Sequence, residues 1–106
     1  MTYEDAEKAL KFLADSEHEY SQYKALLKFQ PERHKACLAR LMGLAAEATE
    51  AGKKRDAESH QEYADLIDES TEIAEKAYLL EAKRKRAEYT IELFRSVHSM
   101  QKKGNI

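Results

Sequence analysis

Apolar residues recur at alternating steps of four and three along almost the whole chain. The first run reads Ala6, Leu10, Leu13, Glu17, Tyr20, Lys24, Leu27, Pro31, His34, Leu38, Leu41, Ala45 and Ala48, with polar interruptions at Glu17, Lys24, Pro31 and His34. The second reads Tyr63, Leu66, Ser70, Ile73, Ala77, Leu80, Arg84, Ala87, Ile91 and Phe94, then Val97 or His98. A heptad rhythm this long lays one stripe along one face of an α-helix and does not fit the two-residue period of a strand. No run of Val, Ile or Thr alternates with polar residues, and Ala, Leu, Glu and Lys dominate. The expected fold class is therefore all-α.

Punctuation divides the chain. Thr2 and Asp5 can form a capping-box-like pair that starts the first helix. Pro31 removes a donor and crowds the preceding turn, so the helix is expected to kink or break there. The seam keeps phase across Pro31, which favours a kinked or briefly interrupted rod over a reversal. Gly52 can end the first helix, and Ser59 with Glu62 makes a second capping box, with Asp56 a rival cap. The expectation is one helical domain over 1–106. It has a first helix over about 3–50, a loop over about 51–58, a second helix over about 59–102, and a frayed tail at 103–106.

Two long helices joined by a short loop lie antiparallel. Folding about that loop sets Leu13 opposite Phe94, Leu10 opposite Val97, Tyr20 opposite Ala87, Leu27 opposite Leu80, His34 opposite Ile73 and Leu41 opposite Leu66. A lone coiled-coil-like hairpin buries one stripe per helix. Phe12, Tyr23, Leu26, Phe29, Tyr78, Tyr89 and Leu93 lie off the main seams and form the candidate surface for self-association or a partner. The expected assembly is a homo-oligomer, a dimer closing into a four-helix bundle.

Charge is segregated. Lys83, Arg84, Lys85, Arg86, Arg95, Lys102 and Lys103 face only Glu88 and Glu92 over the last segment, whereas Asp56 to Glu81 is strongly acidic with Lys76 its one cation. Two accounts stand. Charges of this kind match the helix dipole and fix antiparallel pairing. Alternatively Lys83, Lys85, Arg86, Arg95, Lys102 and Lys103 follow a nucleic-acid backbone, with Tyr89 offering a base a stacking face. The formal net charge of −2 means that such affinity needs this uneven distribution.

Catalytic and metal patterns are missing. His18, His34, His60 and His98 stand in no Glu-x-x-His pattern, and the single Cys37 makes neither an internal disulfide nor a zinc pair. There is no phosphate-binding glycine loop and no nucleophile elbow. No enzyme, cofactor, metal or small-molecule substrate is expected. The acidic N-terminal segment and the lack of a long apolar run point to a soluble cytoplasmic protein with no membrane contact.

The segment KRKRAEYTIELFRSVHSMQKKG resembles the C-terminal end of a family of small helical proteins of tailed bacteriophages. The family run Arg-x-x-Ala-Glu-x-x-Ile-Glu-x-aromatic-Arg-Ser/Thr corresponds here to Arg84, Ala87, Glu88, Ile91, Glu92, Phe94, Arg95 and Ser96. RDAESHQEYADLI is similar to the family's loop and helix opening, and the likeness covers about half the chain. Phe94 stands where the family often has Trp, and Pro31 falls inside a usually unbroken helix. The resemblance implies a helical protein without established activity, whose gene lies in phage recombination and replication modules. It thus implies an accessory role in the bacterial host cell, through self-association and through binding DNA or a recombination protein. Two other readings stand beside it: an inhibitor of a host or defence protein using its acidic faces, and a small scaffold component.

Overall fold

The computed structural model describes residues 2–102 and 104. Three helices follow one another: α1 Tyr3–Leu44, α2 Glu50–Glu58 and α3 Gln61–Lys102. No strand occurs among the described residues, and no helix is long and apolar enough to cross a membrane. The chain packs as two units. One joins the start of α1, through Gln22, to α3 from Ala77 onward; the other is Tyr23–Lys76. In each unit α1 and α3 run antiparallel.

Helix α1 starts as its first residues dictate. The Thr2 N–H donates to Asp5 Oδ2 at 2.9 Å and the Asp5 N–H donates to Thr2 Oγ1 at 3.2 Å. The two bonds satisfy end-of-helix donors reciprocally. Helix α1 then runs through Pro31 without a break. Proline inside a helix costs about 3 kcal/mol or more. Here Pro31 is exposed and off the seam, and half-buried Leu27, Gln30 and His34 pack the helix on either side of it.

The seam of α3 is the expected one from Tyr63 to Phe94, but its expected last position, Val97 or His98, is exposed. Ser70, Ala77, Ala87 and Ile91 are buried, and Tyr63, Leu66, Ile73, Leu80, Arg84 and Phe94 are half-buried. The seam of α1 differs at every second position as far as Pro31, beyond which the expected Leu38 is half-buried together with Cys37. It passes through Ala6, Ala9, Leu13, Ser16, Tyr20, Tyr23, Leu27, Gln30, His34, Cys37 and Leu41. Leu10 is instead 53% exposed, and Glu17 and Lys24 are exposed with Pro31. The reason is steric. Ala9 packs with Ala87 and Ile91, and Phe12 and Leu13 cover that cluster. Small residues at Ala9 and Ser16 leave room for Ile91 and for the long Arg84 side chain.

The connection also differs from the expected loop over 51–58, which is largely helix α2. The chain leaves α1 at Leu44 and crosses 45–49. Thr49, in extended conformation, caps α2 by accepting a hydrogen bond from the Gly52 N–H at 3.0 Å. Gly52 therefore lies in the first turn of a helix rather than ending one. Ser59 ends α2: its N–H donates to the Arg55 and Asp56 carbonyls, and its hydroxyl donates to Asp56 O at 2.7 Å. The expected Ser59–Glu62 box does not form. His60 caps α3 with Nδ1, which accepts from the Glu62 N–H at 3.1 Å. Past the other end of α3, Gly104 has a φ of 73° and donates to Gln101 O, the left-handed stop that glycine adopts without strain.

Placing the connection earlier pulls α3 back along α1. In the first unit Ser16 meets Arg84, and Leu13 packs on Ala87 and Ile91 rather than lying level with Phe94. The ring that α1 brings to Phe94 is Tyr3, edge-on at 6.0 Å. In the second unit Gln30 meets Ser70, and Arg40 pairs with Glu62. Both units are displaced by about one heptad from the register expected, a slip that keeps stripe against stripe while changing every partner.

Candidate functional site

The four consecutive cations Lys83 to Arg86 have three different surroundings. Arg84 turns into the seam, with its side chain 12% exposed. Its Nη1 donates to Leu13 O at 2.8 Å and to Ser16 Oγ at 2.7 Å, and its Nη2 donates to Glu17 Oε2 at 2.9 Å. Its guanidinium also lies 4.8 Å from the centre of the Tyr20 ring. Three of its five N–H donors are engaged inside the hairpin, and its side chain is largely buried there, so it belongs to packing. Lys85 is exposed and pairs with Glu81 at 3.6 Å, one turn back. Lys83 and Arg86 lie on the other flank of α3. There they line an open groove with Lys8, Asp5, Phe12 and Thr90.

This groove is where the first unit gathers positive charge. Lys83 and Arg86 form no ion pair with another described residue. Lys8 arrives from α1, a placement that only the antiparallel register creates. Asp5 opposes the three cations from one edge. The Thr2 N–H and hydroxyl hold its carboxyl below the ordinary value, so it is charged at neutral pH. Arg95 and Lys102 are exposed, and helical spacing puts them on the opposite flank of the seam from Lys83 and Arg86. Lys103 lies outside the described residues. The candidate nucleic-acid residues thus do not share one face. The part that converges is Lys8, Lys83 and Arg86.

A second feature lies on the side of α3 turned away from the seam. Leu79, Ala82, Arg86, Tyr89, Leu93, Ser96 and Met100 repeat at steps of three and four, and all are exposed. Leu79, Tyr89 and Leu93 are 59%, 63% and 55% exposed, and Tyr78 stands beside them. This is a second heptad stripe on one helix, and it begins only where the acidic half of α3 ends. Of the candidate association residues, Tyr89 and Leu93 belong to it, and Tyr78 flanks it. Leu26 and Phe29 are exposed in the other unit, where Lys28 Nζ lies 5.7 Å from the Phe29 ring centre. Phe12 and Tyr23 do not join such a surface. Phe12 packs against the hairpin core, and half-buried Tyr23 occupies a seam position.

The histidines and the cysteine have local duties. His34 Nε2 is 2.8 Å from Ser70 Oγ, and its ring meets Tyr63 edge-on at 6.3 Å. His98 stacks on Phe94 at 5.9 Å. Cys37 is half-buried at a seam position beside a groove lined by Arg40 and Glu62. Among the described residues, no group of three His, Cys, Asp or Glu side chains could hold a metal ion. No family model, no curated protein and no solved structure matches the chain.

Proposed function

We propose that this chain is a non-catalytic interaction protein, a helical hairpin that acts in DNA recombination or replication by presenting the outward face of α3 to another protein. The observation that carries this reading is the second heptad stripe. Ala6, Ala9, Leu41, Ala77, Ala87 and Ile91 already fill the hairpin's own seam, yet Leu79, Tyr89, Leu93 and Met100 remain in water at the spacing of a second helix contact. Monomeric proteins rarely leave a contiguous apolar stripe exposed unless something covers it. The setting comes from the resemblance of Arg84, Ala87, Glu88, Ile91, Glu92, Phe94, Arg95 and Ser96 to phage proteins of recombination modules.

The test is sedimentation of the protein alone and with a single-strand annealing or single-strand binding protein. Association that Leu93→Glu removes, with helicity unchanged, supports the reading. A chain that stays monomeric with both partners, and is indifferent to Leu93→Glu, overturns it.

The convergence of Lys8, Lys83 and Arg86 favours a second reading, direct contact with a nucleic-acid backbone. Fluorescence anisotropy of labelled single- and double-stranded DNA at about 50 and 200 mM salt tests it. Binding that collapses with salt and is lost in Lys8→Ala/Lys83→Ala supports it. No binding at the lower salt removes it.

A further inference from the structure

The outward stripe of α3 is close to its own mirror when read backwards. Take Tyr89 as the centre. Ala82 then stands level with Ser96, and Leu79 and Arg86 come within one residue of level with Met100 and Leu93. Large residues meet large ones and small meet small, as layers of an antiparallel helix pair require. The charges follow the same symmetry. Lys85 and Arg86 precede Tyr89 by about one turn, and Glu92 follows it by about one turn. All three are exposed.

We infer that the stripe Leu79–Met100 is the interface with a second copy of this chain, the two α3 helices crossing antiparallel with Tyr89 at the twofold axis. This deepens the interaction reading above and rests on it. A twofold interface is isologous, so one surface must complement itself. Here it does so in shape and in charge. Lys85 and Arg86 of one copy lie level with Glu92 of the other, and the pair occurs twice. The Arg86 stem covers Leu93 of the second copy while its guanidinium reaches Glu92. Lys85 is free to turn, because its bond to Glu81 is an exposed pair within one helix. A parallel arrangement offers none of this, since Lys85 would face Lys85 and Glu92 would face Glu92. The acidic half of α3 supplies no further apolar stripe, so the contact is confined to the stretch from Leu79 onward.

Two charge-reversal variants test the inference, with circular dichroism confirming that each keeps its helix. Lys85→Glu/Arg86→Glu gives an all-acidic rim, and Glu92→Lys gives an all-basic one. Sedimentation equilibrium should show a wild-type dimer and at least about tenfold weaker self-association of each variant. An equimolar mixture of the two should associate again, because opposite charges then meet at both rims. Independently, Tyr89→Cys in a Cys37→Ser background should oxidise to a covalent dimer, whereas Tyr78→Cys should not. A wild-type protein that is monomeric at about 100 µM overturns the inference, as does a dimer that both variants leave unchanged or a mixture that fails to recover. Those outcomes leave the broader reading open, since a monomer that still binds a recombination protein through Leu93 has lost only this partner.

Discussion

Arg84 Nη1 and Ser16 Oγ meet at 2.7 Å across the hairpin, at seam positions where apolar residues are usual. The Ser16 hydroxyl donates onward to Phe12 O at 2.7 Å, so one side chain accepts from the opposite helix and donates to its own. Glu17 and the Leu13 carbonyl complete the guanidinium's partners. Planar Arg84 reaches three acceptors at once, which an ammonium on a shorter stem does not.

Arg84→Ala should therefore destabilise the protein by roughly 1–3 kcal/mol, and Arg84→Lys should recover only part of that loss. Thermal unfolding of both variants checks this. A full recovery by Lys would mean that charge alone matters at this layer.

The register makes a second, geometric prediction. In a Cys37→Ser background, Ala9→Cys/Ile91→Cys should oxidise to an intramolecular disulfide, because Ala9 and Ile91 share one packed cluster. Ala9→Cys/His98→Cys, the pair one heptad further along, should stay reduced. Peptide mapping after mild oxidation reads both.

Acid should loosen the second unit through Glu62. Its hydrogen bond and attraction to Arg40 hold its carboxyl below the ordinary 4.5. A carboxyl lowered on folding contributes stability above its unfolded value, and that contribution fades as pH falls through the lowered one. Asp5, lowered from 3.8 by its bonds to Thr2, acts in the same sense. Arg40→Gln should thus show a smaller drop in Tm between pH 7 and pH 3 than the wild type. Equal drops would mean that the pair is too solvent-screened to matter.

Two glycines should respond differently to alanine. A Cβ at Gly43 meets nothing within 4 Å, so Gly43→Ala should stabilise by about 0.5–1 kcal/mol. A Cβ at Gly52 would stand 3.0 Å from Thr49 Oγ1 and 3.2 Å from Glu47 Oε2, crowding the cap of α2. Gly52→Ala should gain less than Gly43→Ala in the same chemical-denaturation experiment.

Much of this was legible in the residues and some was not, for physical reasons. The all-helical class, the Thr2–Asp5 cap and the α3 seam from Tyr63 to Phe94 follow from spacing alone. The α1 seam departs from the spacing at alternate positions up to Pro31 because hydropathy favours Leu10 over Ala9, while helix contact favours whichever leaves room for Ile91. Register was not legible, because a heptad pattern repeats every seven residues and so matches equally well one heptad away. Gly52 reads as a stop and Ser59 as a start, but each can serve a turn of helix as well as a boundary. The groove of Lys8, Lys83 and Arg86 needed that register, so Lys8 carried no signal of its own. The outward stripe did carry one, since Tyr89 and Leu93 stand clear of the seam in the sequence.

The two polar layers, Ser16 with Arg84 and His34 with Ser70, also bear on how the chain finds its fold. A newly closed hairpin can zip in a neighbouring frame and still bring its oily stripes together. In the frame one heptad further along, Arg84 would come level with Tyr23 and Ser70 with Cys37. Arg84 would then have lost its serine and the Ser70 hydroxyl its histidine, and desolvated polar groups left unpaired raise the energy of that state. Apolar matching alone leaves the frames nearly degenerate, and the polar layers open a gap between them. A helix pair built only of leucine would hold just as firmly and would have no reason to reopen when it closed in the wrong frame.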